Sequence, residues 1–111
     1  MLELAVQVVR FVSDEPQPGI VACEFVDADG RRHTLIDKWP MCGSKLLDAH
    51  SVYPQPGTIR CEELARWQDA VGREVVQVTL DRPDGLESCD GLSEFVVLSA
   101  QLSPVAAEPD Q

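Results

Sequence analysis

Apolar and polar residues alternate along several short stretches of the chain, a period of two that is typical of strands with one buried face. Residues 2–12 show the pattern most clearly, because every second side chain from Leu2 to Val8 is apolar. Val9 then breaks the alternation. A β-bulge at this point would restore the pattern and turn Val9 and Phe11 inward.

The same alternation, interrupted by Gly, Pro and Asp clusters, predicts about six strands. They cover residues 2–12, 20–26, 31–39, 58–71, 73–80 and 93–102. The inward-facing sets are expected to be Val21, Cys23 and Phe25 in the second strand, Val76, Val78 and Leu80 in the fifth, and Val96, Leu98, Ala100 and Leu102 in the last.

One pattern of turn, strand and turn occurs twice. Pro-Gln-Pro-Gly, a Cys-Glu pair and Asp-Ala-x-Gly-Arg follow one another from Pro16 and again from Pro54. We interpret this as a duplicated hairpin spanning residues 16–39 and 54–80. Residues 58–71 alone show near-helical spacing of apolar residues. The first copy is strongly β, however, and the four extra residues of the second copy keep the faces of a strand in phase, so we predict a strand.

These elements predict a single all-β domain over residues 1–103, followed by a flexible C-terminal tail at 104–111. Short strands at regular spacing are typical of a small barrel or sandwich. We expect a six-stranded barrel, SH3-like or OB-like, with a sandwich as the alternative. At most one short helix is expected, at residues 44–49, where Ser44 can act as the N-cap.

Several motifs resemble a set of small bacterial proteins of unknown function. They are Pro-Gly-x-Ile-x-Cys-Glu at 56–62, Asp-x-x-Gly-Arg at 69–73, Arg-Pro-Asp-Gly-Leu-Glu-Ser-x-Asp-Gly at 82–91 and Glu-Phe-Val-Val at 94–97. The resemblance implies a bacterial origin and a compact β fold. It implies no activity and no site residues.

The charge of the chain bears on its partners. Nineteen acidic and nine basic residues give a formal net charge of −10. This charge repels phosphate, so nucleic acid and anionic membranes are not expected partners, and a basic protein or a cation is favoured. No signal-peptide pattern and no membrane-length apolar run is present, and four cysteines occur without a secretory context, so a cytoplasmic location with reduced thiols is expected.

The sequence offers little catalytic or metal-binding chemistry. It has two histidines and no closely spaced Cys or His pair, so no cofactor is expected. The weak metal-ligand candidates are Cys42, Cys89, His33 and His50. Cys23 and Cys61 are expected to be buried apolar residues. Ser88-Cys89-Asp90 has the residue types of a nucleophilic site but no recognised motif. Asp81, Asp84, Glu87 and Asp90 are expected to form a solvated turn rather than a calcium loop.

Three aromatic residues are candidates for a binding surface. Trp39, Tyr53 and Trp67 fall in loops or at strand ends, where they either anchor an interface or close the ends of a barrel. Arg32 and His33 belong to the one basic cluster of the sequence, which is predicted to lie on a solvated strand.

The leading hypothesis is a non-catalytic protein-interaction domain, in one form an acidic inhibitor of a basic partner. A metal- or thiol-dependent enzyme using Cys42 or Cys89 with His33 or His50 is one alternative. A structural homo-oligomeric subunit is another, and the choice between monomer and homodimer stays open.

Overall fold

The computed structural model describes residues 1–15, 19–38 and 50–105. This part of the chain contains seven strands and one turn of 3-10 helix, Ser99–Gln101. The strands are β1 (Leu2–Ser13), β2 (Ile20–Val26), β3 (Arg32–Lys38), β4 (Gln55–Gln68), β5 (Glu74–Thr79), β6 (Glu94–Leu98) and β7 (Leu102–Pro104). The all-β prediction is confirmed. Within these residues no helix is long and apolar enough to cross a membrane.

The strands form one antiparallel sheet that curls into a half-barrel. Its order is β3-β2-β1-β4-β5-β6, and the short β7 returns to pair with the start of β1. The chain therefore ends its described course beside the strand with which it began. Trp39, Cys42 and the predicted helix at 44–49 lie outside the described residues, as do residues 106–111.

Strand β1 has neighbours on both edges. Residues 2–8 pair with β4 on one side, while residues 7–13 pair with β2 and residues 2–4 with β7 on the other. The register with β2 shifts at Val9, where the broken alternation predicts a bulge, and that prediction is confirmed. Phe11 packs against the core after this bulge, as predicted, whereas Val9 is half-buried and is not part of the core cluster, so its predicted inward orientation is not confirmed.

Residues 58–71 continue as strand as far as Gln68, which confirms the strand prediction and excludes the helix. Burial gives the physical reason. Of the residues at helical spacing, only Cys61 is buried, whereas Leu64 and Val71 are exposed. A helix would have needed one continuous apolar side. A bulge at Leu64 separates two regular stretches of the pairing with β5.

The two long hairpins turn in the same way. In each turn the aspartate Oδ1 accepts the backbone N–H groups two and four positions later, at 2.9 and 3.0 Å for Asp27 and 3.1 and 2.9 Å for Asp69. Gly30 and Gly72 follow with φ values of 83° and 85°. This is a turn closed by a left-handed glycine, as Asp-Ala-x-Gly-Arg predicts. A common origin of the hairpins stays an interpretation.

The core lies inside the curl of the sheet. It is built mainly from aliphatic side chains of β1 to β6 with Phe25, Phe95 and Leu86. Two backbone hydrogen bonds draw the ends of the sheet together, from Ala28 N–H to the Val96 carbonyl at 2.9 Å and from Cys89 N–H to the Thr34 carbonyl at 2.8 Å. The two carbonyls belong to β3 and β6, the first and last strands of the sheet order, so these bonds satisfy backbone groups that have no strand partner on that edge.

The prediction of which residues in the last strand face inward is wrong. Phe95 and Val97 are buried, while Val96 and Leu98 are only half-buried. The register with β5 explains the difference, because it places Phe95 opposite Val78 in the core-facing row. The strand is also interrupted by the 3-10 turn, so residues 93–102 do not form one continuous element.

We predict that Gly72→Ala lowers the free energy of unfolding by about 1 kcal/mol, because a residue with Cβ is strained at positive φ. A Cβ at this position has no atom within 4 Å, so steric overlap does not contribute. Urea denaturation measures the loss. Gly72→Asn should lose less, since Asn tolerates this conformation. Equal stability of Gly72→Ala and the unaltered protein would contradict the assignment of this turn.

Candidate functional site

His33 lies in the core, not on a solvated surface. It is opposite Phe25 in the β2–β3 register, and only 3% of it is exposed, so the prediction of a solvated His33 is wrong. The strand alternation gives the reason, since His33 and Leu35 face inward while Arg32 points outward. Arg32 is exposed, as predicted.

His33 is held by one carboxylate and two aromatic rings. Its Nε2 lies 2.7 Å from Asp27 Oδ2. Its ring centroid lies 5.3 Å from that of Phe25 and 4.6 Å from that of Phe95. The buried Nδ1 has no hydrogen-bond partner among the described residues. Because an ionised carboxylate only accepts hydrogen bonds, Nε2 carries the proton in this arrangement.

The environment of Asp27 favours its ionised form. Partial burial by itself raises the pKa of the carboxyl, but hydrogen bonds from His33 and from the backbone N–H groups of Arg31 and Asp29 outweigh burial and lower the pKa. The pair therefore ties the β2–β3 turn to the core. A relay to a nucleophile is not formed, since no described hydroxyl or thiol contacts Nδ1.

The candidate nucleophile Ser88 has a structural role. The side chain is buried, and its Oγ accepts the backbone N–H groups of Asp90 and Leu92 at 3.3 and 3.2 Å. The neighbouring acidic residues do not converge. Asp84 instead binds the guanidinium of Arg60, with Oδ1 2.7 Å from its terminal nitrogen.

The thiols do not assemble into a site in the part of the chain described. Cys23 and Cys61 are fully buried, as expected, and burial raises the pKa of the Cys61 thiol to about 11. Cys89 is exposed in the loop before β6, and His50 is exposed before β4. No three His, Cys, Asp or Glu side chains in the described ranges could hold a metal ion together.

The candidate aromatic residues are not brought together either. Tyr53 precedes β4 and packs against the core, while Trp67 lies near the other end of β4 and is 43% exposed. Most of β4 lies between these two residues, and a strand extends by roughly 3.3 Å per residue, so the two side chains do not meet. Only Trp67 is therefore available as an exposed aromatic anchor among the candidates that the structure describes.

The outer half of β4, residues 63–68, is the most exposed stretch of strand. Every one of its residues is exposed, including Leu64 and Trp67. The pairing of β1 with β4 covers residues 55–61, whereas β5 pairs with residues 62–68 on the opposite edge. Among the described strands, none lies against the remaining edge of residues 63–68. Unpaired backbone groups at such an edge can bind another strand.

Trp67 also has a packing role. It lies opposite Val75 in β5, and Val75 lies opposite Leu98 in β6, so the three share one face of the sheet. Val75 is buried although it is outside the main core cluster. Trp67 therefore neighbours a buried residue on this face while it is itself 43% exposed, as suits a large side chain at the boundary between core and solvent.

Arg66 and Arg73 of the β4–β5 hairpin are neutralised within that hairpin. Arg66 contacts Glu63 at 2.7 Å and Glu74 at 3.0 Å, and Arg73 contacts Asp69 at 2.7 Å. The hydrogen bond from Arg66 lowers the pKa of Glu63. The hairpin surface thus offers no unpaired positive charge in the ranges described.

A cleft of about 360 Å³ lies beside β1. It forms because β2 and β7 share one edge of β1 and leave Ala5 and Val6 between them without a strand neighbour on that edge. Apolar lining comes from β1, β2 and Pro54, and polar lining includes Gln7, Glu24, Arg32 and Gln101. The sequence alone did not indicate this cleft.

Comparison of the chain with models of protein families, with curated proteins and with solved structures finds no match.

We predict that Asp27→Asn destabilises the protein by about 1–3 kcal/mol at neutral pH, because a charged hydrogen bond is lost and the His33 proton must move to Nδ1, which has no partner. A lowered pKa means that the carboxylate stabilises the fold above its unfolded-state pKa, about 3.9. This stability is lost as pH falls through the lower folded-state value.

Urea denaturation across pH tests this sign. The difference between Asp27→Asn and the unaltered protein should shrink as pH falls below about pH 4. Asp69→Asn is the comparison for the turn alone, because its carboxyl makes the same backbone hydrogen bonds and has a lowered pKa but no histidine partner, so its difference should shrink in acid as well. A difference for Asp27→Asn that persists undiminished below about pH 4 would contradict the assignment.

We further predict that Cys89 is the reactive thiol among the three described cysteines. In a Cys42→Ser background, iodoacetamide should modify Cys89 while Cys23 and Cys61 stay protected until the protein is denatured. Mass spectrometry of the digested protein measures each site. Modification of Cys61 as fast as Cys89 would show that the core opens readily.

Proposed function

We propose that the protein is a non-catalytic interaction domain that binds an extended, basic segment of another protein along the outer half of β4. Inhibition of a basic enzyme is one form that such binding can take. The observation that supports the proposal is the exposed edge at residues 63–68, which no described strand covers and which carries Leu64 and Trp67.

Edge pairing supplies backbone hydrogen bonds to any extended segment, and side chains supply the selectivity. Residues 65–68 are in regular register with β5, so they present a straight stretch beyond the Leu64 bulge. The exposed side of Trp67 is a rigid apolar surface for an alternate side chain of the partner.

Charge selects a basic segment over a second copy of this chain. The net charge of −10 steers cationic segments toward the protein and repels another copy. The acidic residues of the β4–β5 hairpin outnumber its arginines, with Glu62, Glu63, Asp69 and Glu74 against Arg60, Arg66 and Arg73.

The direct test titrates isotopically labelled protein with a short peptide of alternating lysine and valine. The amide chemical shifts of the protein are measured by NMR at each step. We expect the largest shifts at residues 63–68, and an affinity about tenfold or more weaker for Trp67→Ser, because truncating an anchoring tryptophan commonly costs this much. Val52→Ser is the matched control, since Val52 is 79% exposed and lies before β4 at its other end.

A peptide of alternating glutamate and valine should not bind. Equal binding of both peptides, or shifts spread evenly over the acidic surface, would contradict the proposal. Light scattering should show a monomer. A dimer that Trp67→Ser dissociates would instead show that a second copy occupies this edge.

A photo-crosslinking amino acid at position 64 then tests the natural partner. Its crosslinked segment should be basic, and a synthetic peptide of that segment should shift the amides of residues 63–68. The same crosslinker at position 52 is the control. A segment that crosslinks equally from both positions would contradict a specific site.

A further inference from the structure

We propose that the cleft beside β1 binds the zwitterion of a free apolar α-amino acid. This site is separate from the outer half of β4, because its walls come from β1, β2, the start of β3, Pro54 and Gln101. The inference therefore does not depend on the proposed interaction function.

One wall of the cleft is held in place before any ligand binds. Gln101 donates from Nε2 to the Val26 carbonyl at 2.8 Å, and its Oε1 accepts the Leu98 N–H at 2.8 Å. The side chain thus bridges the end of β2 and the end of β6, where the strands separate. A wall fixed by two hydrogen bonds favours binding, because less ordering is required of the protein.

A cation and an anion lie together in the lining of the cleft. Arg32 Nε lies 3.8 Å from Glu24 Oε1, which is too long for a hydrogen bond. The Arg32 side chain is 68% exposed and has no second partner in the described part of the chain. Both groups therefore keep hydrogen-bonding capacity for a ligand.

An α-amino acid matches this pair of charges. Its carboxylate and ammonium are attached to one carbon, so they can bind Arg32 and Glu24 at the same time. Charge-assisted hydrogen bonds of this kind are the stronger ones. A simple carboxylate would lie beside Glu24 without an ammonium to balance it, and a simple amine would lie beside Arg32 in the same way.

The remainder of the lining selects the side chain of the ligand. Ala5, Val9, Val26 and Pro54 provide an apolar wall, and part of the Val26 side chain is exposed until something covers it. A cleft of about 360 Å³ is at the small end of ligand sites. It suits one amino acid better than a nucleotide or a long peptide.

The test uses L-phenylalanine and L-leucine as probes in amide chemical-shift titrations. We expect saturable shifts of residues 5–9, 24–26 and 101 at millimolar ligand. Two analogues separate the charges, since 3-phenylpropionate lacks the ammonium and phenethylamine lacks the carboxylate. Each should bind about tenfold or more weaker than phenylalanine. An analogue that binds as well as phenylalanine would overturn the zwitterion assignment.

Arg32→Gln and Glu24→Gln should each weaken binding of phenylalanine about tenfold or more. Arg82→Gln and Glu62→Gln form the matched control pair, because they break a comparable exposed ion pair elsewhere. These two control variants should bind phenylalanine with the same affinity as the unaltered protein. Absence of saturable binding, or equal losses in both pairs of variants, would overturn the proposal.

Discussion

The structure depends on how the two edges of β1 are satisfied. The buried N–H and C=O groups of β1 need partners, since leaving them unpaired is unfavourable. One edge takes β4, and the other takes β2 and then the short β7. The cleft follows from the two unequal neighbours on the second edge, which leave Ala5 and Val6 between them. On the first edge β1 covers only residues 55–61 of β4, so the rest of that edge of β4 is open among the described strands.

The two hairpins show how one turn serves two environments. Asp27 and Asp69 organise their turns with the same pair of backbone hydrogen bonds. Their remaining oxygens differ, because Asp27 binds buried His33 whereas Asp69 binds exposed Arg73. The first turn thereby becomes part of the core where the ends of the sheet approach each other. The second projects into solvent and leaves the outer half of β4 accessible.

Local patterns in the sequence predicted the parts of the fold that depend on neighbouring residues. Alternation identified the core face of β1 and its bulge at Val9, and the repeated turn favoured strand over helix in β4. The errors at His33 and in the last strand concern which side chains face inward, and the register with the neighbouring strand decides this. His33 is polar by type, yet its register opposite Phe25 places it inward. The cleft involves residues as distant as Ala5 and Gln101, so no local pattern indicates it.

An exposed strand edge favours aggregation unless something opposes it. Here the Leu64 bulge interrupts the regular edge, and Glu63 and Arg66 place charges along it. The net charge of −10 adds long-range repulsion between copies. A basic strand would be attracted by the same charge, so the features that oppose self-association also favour the basic partner that we propose. A zwitterion has no net charge, so this field neither attracts nor repels it as a whole, and the two proposed sites differ in their dependence on net charge as well as in the residues that form them.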